Sequence, residues 1–346
     1  MTEVLDFAEA LSVSAEHTRR HLLLGNGFSI ALKPDIFSYG SLFDNADFDA
    51  APDVPELFRE LGTNDFEVVI RHLQDTATVV KVYRPRLQKL IAKLLSDAEA
   101  IKDALVSAVA RRHPSRPYDV TGEQYSACRT FLHNFNHIFT LNYDVLLYWA
   151  LMHTDVDDLN FGADDGFRHP EDDPNQPWVT WQQGSSATVN YLHGALHLFD
   201  TGSEIRKYTW SKTDVPIVDQ IRQALDRNSF PIFVAEGSSD IKLSRIMHSA
   251  YLHKATRSLE SCCKGKNAIF IYGHSLADND DHILRYIASG TAPDLFVSLY
   301  GDPNSDSNQM IIGRANGLAE RRAVLTEGRK SLTIRFFDAA SAQVWG

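Results

Sequence analysis

The sequence predicts an α/β fold: a doubly wound, mainly parallel sheet that carries a large helical insertion. Three observations lead there. Short apolar runs of strand length alternate with segments of helical apolar spacing, the pattern of a parallel sheet covered on both faces. The first such run, His-Leu-Leu-Leu-Gly-Asn-Gly-Phe-Ser from His21 to Ser29, stops abruptly at two glycines flanking Asn26. Glycine and polar residues then gather at the carboxyl ends of four predicted strands, the edge at which open α/β sheets bind ligands.

Composition bounds the function. With 346 residues, 44% hydrophobic and 23% charged, the chain can bury a sizeable core, and 1–346 reads as one α/β domain with a helical insertion over 41–135. Its 34 Lys plus Arg against 45 Asp plus Glu give a formal charge of −11, which argues against direct nucleic-acid binding. No apolar stretch has the length of a membrane helix, and the acidic start Met-Thr-Glu-Val-Leu-Asp is unlike an export signal, so a cytoplasmic protein without membrane contact is expected. Cys128, Cys262 and Cys263 form no C-x-x-C pair, which fits a reducing compartment and points to neither a disulfide framework nor a structural zinc site.

The elements follow in order. Residues 1–20 read as a short amphipathic helix with Leu5, Phe7, Ala8 and Leu11 on its apolar face. His21–Leu24 is the first strand. From 55 to 135 the apolar spacing is helical, for example Phe66, Val69, Ile70 and Leu73; one helix is stopped by the prolines of Arg-Arg-His-Pro-Ser-Arg-Pro from Arg111. His137–Asn142 is the next strand, followed by a helix from Val145 to Met152. Residues 154–186, rich in Asp, Gly, Pro and Asn, read as a long irregular loop packed by Trp178 and Trp181. Strands are then expected at 188–192, 230–236, 268–272, 295–300 and 332–337. Helices are expected for about twenty residues from Ile241, from Asp280 to Ala288, and from Asn308 to Leu325.

The turn at Gly25 and Gly27 reads G-x-G-x-S and lacks the third glycine of the dehydrogenase fingerprint, since position 30 is Ile30. Read with T-x-N-x-D at Thr140, Asn142 and Asp144, then L-H-G at Leu192–Gly194, then G-x-S at Gly273–Ser275, the ordered set resembles the NAD-binding core of the sirtuins and their prokaryotic sirtuin-like relatives, many of them NAD hydrolases in anti-phage defence. The run Gly-His-Ser-Leu-Ala-Asp-Asn-Asp-Asp from Gly273 looks most like the defence branch. The chain lacks the paired cysteines of the sirtuin zinc module, which counts against protein deacylation. The resemblance implies a Rossmann-like, sirtuin-like sheet with NAD as substrate, and it places Asn142 and His193 at the positions of the catalytic pair.

Chemistry asks the same of these residues. Breaking the bond between nicotinamide and ribose builds an oxocarbenium-like centre, so the site must hold the diphosphate and supply polar groups around the anomeric carbon. The backbone of Gly25, Asn26, Gly27, Phe28 and Ser29 suits the diphosphate, because glycine allows close approach and a strand-to-helix turn offers N–H groups. Asn142 can orient water or a ribose hydroxyl, Asp144 can accept from the nicotinamide amide, and His193 can take a proton near neutral pH. Gly273, His274 and Ser275, with Thr140 and Asp278, complete the expected binding set.

Plainer readings stand beside these. Spacing alone makes Asn142 and Asp144 caps of the helix from Val145. His133 and His137 lie four apart, as do His193 and His197, but neither pair encloses a glutamate, and no metal is expected. The acidic groups Asp155, Asp157 and Asp158, Asp164 and Asp165, and Asp278, Asp280 and Asp281 read as solvated loop charges or helix caps, and Cys262 and Cys263 as packing at a helix end. The expected activity is hydrolysis of NAD to nicotinamide and ADP-ribose by a defence effector that assembles with itself or with a partner protein. A non-hydrolysing sensor of NAD or ADP-ribose acting through a partner is the main rival, ahead of ADP-ribosyl transfer and metal-dependent hydrolysis.

Overall fold

The computed structural model describes residues 3–37, 39–169, 176–209, 215–227, 229–234 and 239–346; the side chains of residues 39–41, 67 and 241 also lie outside that description. Eleven strands are present among these residues: β1 (Val4–Leu5), β2 (Arg19–Leu24), β3 (His137–Thr140), β4 (Phe167–Arg168), β5 (Trp178–Trp181), β6 (Val189–Tyr191), β7 (Leu198–Asp200), β8 (Ile205–Tyr208), β9 (Asn267–Tyr272), β10 (Asp294–Leu299) and β11 (Thr333–Asp338). Seven of them form one sheet in the order β1-β11-β10-β9-β2-β3-β6, with every pairing parallel.

Burial explains why the strands read as unbroken apolar runs. Leu22, Leu23 and Leu24 are all buried, as are Ala268 through Tyr272 and Leu295 through Leu299. Successive side chains point to opposite faces, so continuous burial means that both faces are covered. The order reverses at the centre: from β2 the chain builds outward through β3 and β6, and later returns through β9, β10 and β11 on the other side. A reversal of this kind opens a crevice beyond the carboxyl ends of the central strands.

Helices precede, connect and cover the sheet: α1 (Phe7–Val13), α2 (Gly27–Leu32), α3 (Pro34–Phe37), α4 (Tyr39–Asp44), α5 (Val54–Glu60), α6 (Phe66–Tyr83), α7 (Gln88–Arg112), α8 (Gly122–Leu132), α9 (Leu146–Met152), α10 (Ile217–Leu225), α11 (Ser239–His248), α12 (Ala250–Cys262), α13 (Asp281–Ser289) and α14 (Asp306–Leu325). The segment between β2 and β3 is thus helical. At its end, His113 donates from Nδ1 to the Pro114 carbonyl at 2.9 Å and accepts at Nε2 from the Val145 amide at 3.2 Å, which ties α7 to the start of α9.

Several local expectations change. Within 1–20, the first strand β1 precedes the helix and pairs with β11; two residues are too few to carry a periodic signal, and Asp6 then caps α1 in a capping box with Glu9. The expected strand at 230–236 is a single antiparallel bridge between Phe233 and Gly194, with Ala235 and Glu236 outside the described residues. The helix from Ile241 is two helices, because Ser249 takes an extended conformation and caps α12 through the Leu252 amide. Two short strands, β4 and β5, fall within the expected loop 154–186. Trp178 and Trp181 lie in β5, part of an antiparallel sheet of order β4-β5-β8-β7. Acidic residues expected to be solvated hold it in place: Asp157 takes a two-pronged bond from the buried Arg129, Asp164 pairs with Arg168, and Asp165 pairs with Lys207. No helix among the described residues is long and apolar enough to cross a membrane.

Candidate active site

Four strand ends meet at one cleft of about 840 Å³. Gly25, Asn26 and Gly27 follow β2, Asn142, Tyr143 and Asp144 follow β3, His193 follows β6, and Gly273, His274 and Ser275 follow β9; all of them line it. The cleft also takes in Phe37, Leu42, Phe66, Leu105 and Val109 from the helical segment, Ser307 and Asn308 at the amino end of α14, and Trp345. Of the expected binding residues, Phe28, Ser29, Thr140 and Asp278 do not line it. Phe28 is buried against Trp345, whose Nε1 donates to the Phe28 carbonyl at 2.8 Å, and Asp278 is exposed.

The floor is built from backbone in contact with backbone. A Cβ on Gly25 would lie 2.6 Å from the Gly273 oxygen, and one on Gly27 would lie 2.5 Å from the Gly273 Cα. Gly273 itself has φ +66°. Only glycine satisfies these approaches. The same closeness changes the expected role of the turn, because four of its five amides are already engaged. Gly25 donates to Tyr272 at 2.9 Å, Gly27 to Gly273 at 2.8 Å, Phe28 to Gly25 and Ser29 to Asn26, each at 3.0 Å. The turn therefore offers a close, flat approach to a ligand and not an open row of N–H donors. No lysine or arginine lines the cleft among the described residues, whereas Asp65, Asp144 and Asp280 do.

Ser29 and Thr140 act from behind. Asn142 donates from Nδ2 to Ser29 Oγ at 2.9 Å, and Ser29 Oγ in turn donates to Asp144 Oδ2. The Asn142 amide donates to Thr140 Oγ1 at 3.0 Å, and Asp144 Oδ1 accepts from the Leu146 amide at 2.9 Å. Asp144 thus holds the first amide of α9 and, through Ser29, anchors Asn142. Burial pushes the Asp144 carboxyl above its ordinary range, against the Ser29 and Leu146 hydrogen bonds.

A second polar group stands behind His193. Its Nε2 lies 2.9 Å from His282 Nε2 and 3.8 Å from Asp280 Oδ1, while Nδ1 makes no hydrogen bond among the described residues. Asp280 also accepts from Lys242 Nζ at 3.0 Å and from His274 Nε2 at 3.0 Å; His274 Nδ1 accepts from the Leu276 amide, which fixes that tautomer. Burial, followed by the Lys242 charge, holds His193 well below the ordinary histidine range. Burial alone would push Asp280 up, but Lys242, the His274 hydrogen bond and His193 outweigh it and hold the carboxyl well below its usual range. His282 is lowered to about 4, chiefly by burial. His193, Asp280 and His282 have ligand atoms within 4.8 Å of one another, a spacing that suits a cation, and Lys242 already brings a positive charge to that carboxylate.

Asp280, His282 and Lys242 were not among the expected site residues. Asp280 does not cap α13 through its side chain; it faces inward. The signal was present in the run that continues Asp280-Asp281-His282 after the Gly273 turn, but sequence alone gives no way to tell which carboxylate turns in. The histidine pairs at four-residue spacing do not act together. His133 ends α8 while His137 begins β3, and His197 is buried against Tyr148 and Tyr191.

Residues 22–345 match the family model described as Domain of unknown function (DUF4917). No curated protein matches the sequence. Among solved structures, one described as giving the structural basis for the mechanism and regulation of Sir2 enzymes aligns with a TM-score of 0.34 and 11% identity, over 92% of this chain and 98% of that one. A mutant Sir2 homologue in complex with 2'-O-acetyl ADP ribose aligns with a TM-score of 0.33 and 15% identity, over 92% of this chain and 97% of that one. At so low a TM-score neither likeness adds to what the strand order already establishes.

Proposed function

Starting from a chain that belongs to the family described as Domain of unknown function (DUF4917), we propose that it is an NAD glycohydrolase, cleaving NAD to nicotinamide and ADP-ribose. One observation carries the reading: Asn142 and His193 line a single cleft together with the two glycine turns, at the point where the sheet reverses its order. The ordered motifs that resemble sirtuin-like NAD hydrolases support it, and an effector role in phage defence is carried over from that resemblance.

In the reaction, the bond from nicotinamide N1 to ribose C1′ breaks and its electron pair neutralises the pyridinium nitrogen, while a water oxygen bonds to C1′. Asn142, held by Ser29 and Thr140, orients that water or a ribose hydroxyl. With Nε2 turned to His282, His193 Nδ1 is the nitrogen left to accept the water proton. Asp280 stabilises the imidazolium that forms, and the acidic lining favours the positive charge growing at C1′. The amino end of α14 brings the positive end of a helix dipole to the side of the diphosphate. Incubating the purified chain with NAD and following nicotinamide release tests the reading, with Asn142→Ala and His193→Ala as controls. Turnover that survives both substitutions removes the site.

A binding-only cleft is the second reading, and the depressed basicity of His193 favours it. Calorimetry showing tight binding of NAD or ADP-ribose, with no nicotinamide released even by the assembled protein, selects that alternative.

A further inference from the structure

Another cluster lies toward the other edge of the same sheet. The parallel register sets His21 of β2 directly beside His137, the first residue of β3, so their side chains share one face, with ring centroids 5.2 Å apart. Cys262, the last residue of α12, reaches the same point: a ring nitrogen of each histidine and the Cys262 sulfur all lie within 4.8 Å of one another. His21 is 1% exposed and neither of its ring nitrogens has a hydrogen-bond partner; His137 Nδ1 is also buried without one. Buried polar atoms without partners are costly and rare, and three in one spot beside a thiol call for an occupant. We propose that His21, His137 and Cys262 form a binding site for one zinc ion, separate from the cleft.

The donor set fits. Two imidazoles and one thiolate are the ligands zinc prefers, and a fourth, tetrahedral position is left for water. Neither ring nitrogen of His21 is taken up by a hydrogen bond, so a lone pair is open to the ion. On binding, a zinc–sulfur bond replaces the S–H bond of Cys262 and the thiol proton passes to solvent. The thiolate charge then offsets Arg19, the exposed cation that acts on all three residues. The half-buried His137 gives the ion a way in. Such an ion would pin α12 to β2 and β3. The spacing of 21, 137 and 262 hides the set from any sequence motif.

The test uses the whole chain, stripped with chelator and then titrated with Zn²⁺ against a chromogenic chelator and, separately, with Co²⁺. The expected result is one equivalent of tightly bound zinc, release of one proton, and a thiolate-to-cobalt charge-transfer band. Cys262→Ser should abolish the band and weaken zinc by more than the roughly 10- to 100-fold that loss of an outer-shell partner costs. His137→Gln, at a half-buried position, should weaken zinc too, while Cys263→Ser and His193→Ala leave zinc affinity and the band unchanged. No zinc uptake, a band that survives Cys262→Ser, or zinc lost with His193→Ala in place of His137→Gln overturns the proposal.

Discussion

The Nε2 atoms of His193 and His282 lie 2.9 Å apart, with the two rings stacked nearly parallel at an interplanar angle of 16°. Such a contact needs one donor and one acceptor, so the protonation of His193 Nε2 is tied to that of His282. Replacing His282 by leucine should lower kcat for nicotinamide release by about 10²-fold, the lower end of the range ascribed to general acid–base groups, and leave KM nearly unchanged. His282→Gln, which can still bond to Nε2, should recover part of the loss. Equal loss in both variants, or a change in KM alone, would show that His282 is only packing.

Removal of His193 itself is a more severe test. His193→Ala should reduce nicotinamide release by about 10²–10⁴-fold while the thermal midpoint stays close to that of the parent chain. Steady-state rates measured beside a melting curve separate lost chemistry from lost fold.

The glycine floor predicts a packing defect. An added Cβ on Gly27 would meet the backbone of Gly273 at 2.5 Å, with no flexible side chain there to give way. Gly27→Ala should therefore cost about 1–3 kcal/mol of stability, as overpacking does, and weaken nucleotide binding as well. Urea denaturation and calorimetric titration with NAD check the two effects.

Lys242 is fully buried against Asp280. Lys242→Met leaves that carboxylate short of its main counter-charge and should destabilise the protein by about 3–5 kcal/mol. Asp280→Asn in the same background should restore part of the loss. A double-mutant cycle in chemical denaturation reads the coupling, and additive losses would refute it.

Buried neutral histidines set the acid limit. Burial lowers His21 to about 3, His113 and His282 to about 4, and His193 and His197 well below the ordinary value. In the unfolded chain each titrates near 6.5, so below that pH unfolding takes up protons and stability falls. Each group contributes up to about 1.4 kcal/mol per pH unit until its own folded pKa is reached. Melting curves from pH 7.5 down to 4.5 should show a steep loss beginning near 6.5, and a flat profile over that range would contradict these shifts.

Sequence carried the central strands and the residues at their ends, because a buried strand must be continuously apolar and a backbone contact must be glycine; Leu22–Leu24 and Gly25 show both. It carried less where tertiary partners decide. Val4 and Leu5 form a strand only because Phe336 and Phe337 lie beside them, and the second sheet is held by ion pairs such as Lys207–Asp165 that no local pattern reveals. Asp280 and Asp278 look alike in sequence; the fold turns one toward Lys242 and leaves the other in water.

Gly25, Gly27 and Gly273 already touch, so that side of the cleft has no slack left to yield to a guest. Any adjustment must come from the other lining side chains, among them Phe37, Phe66, Leu105 and Val109 of the helices between β2 and β3. Those apolar side chains, and not the glycine turns, would then decide which shapes the cleft accepts.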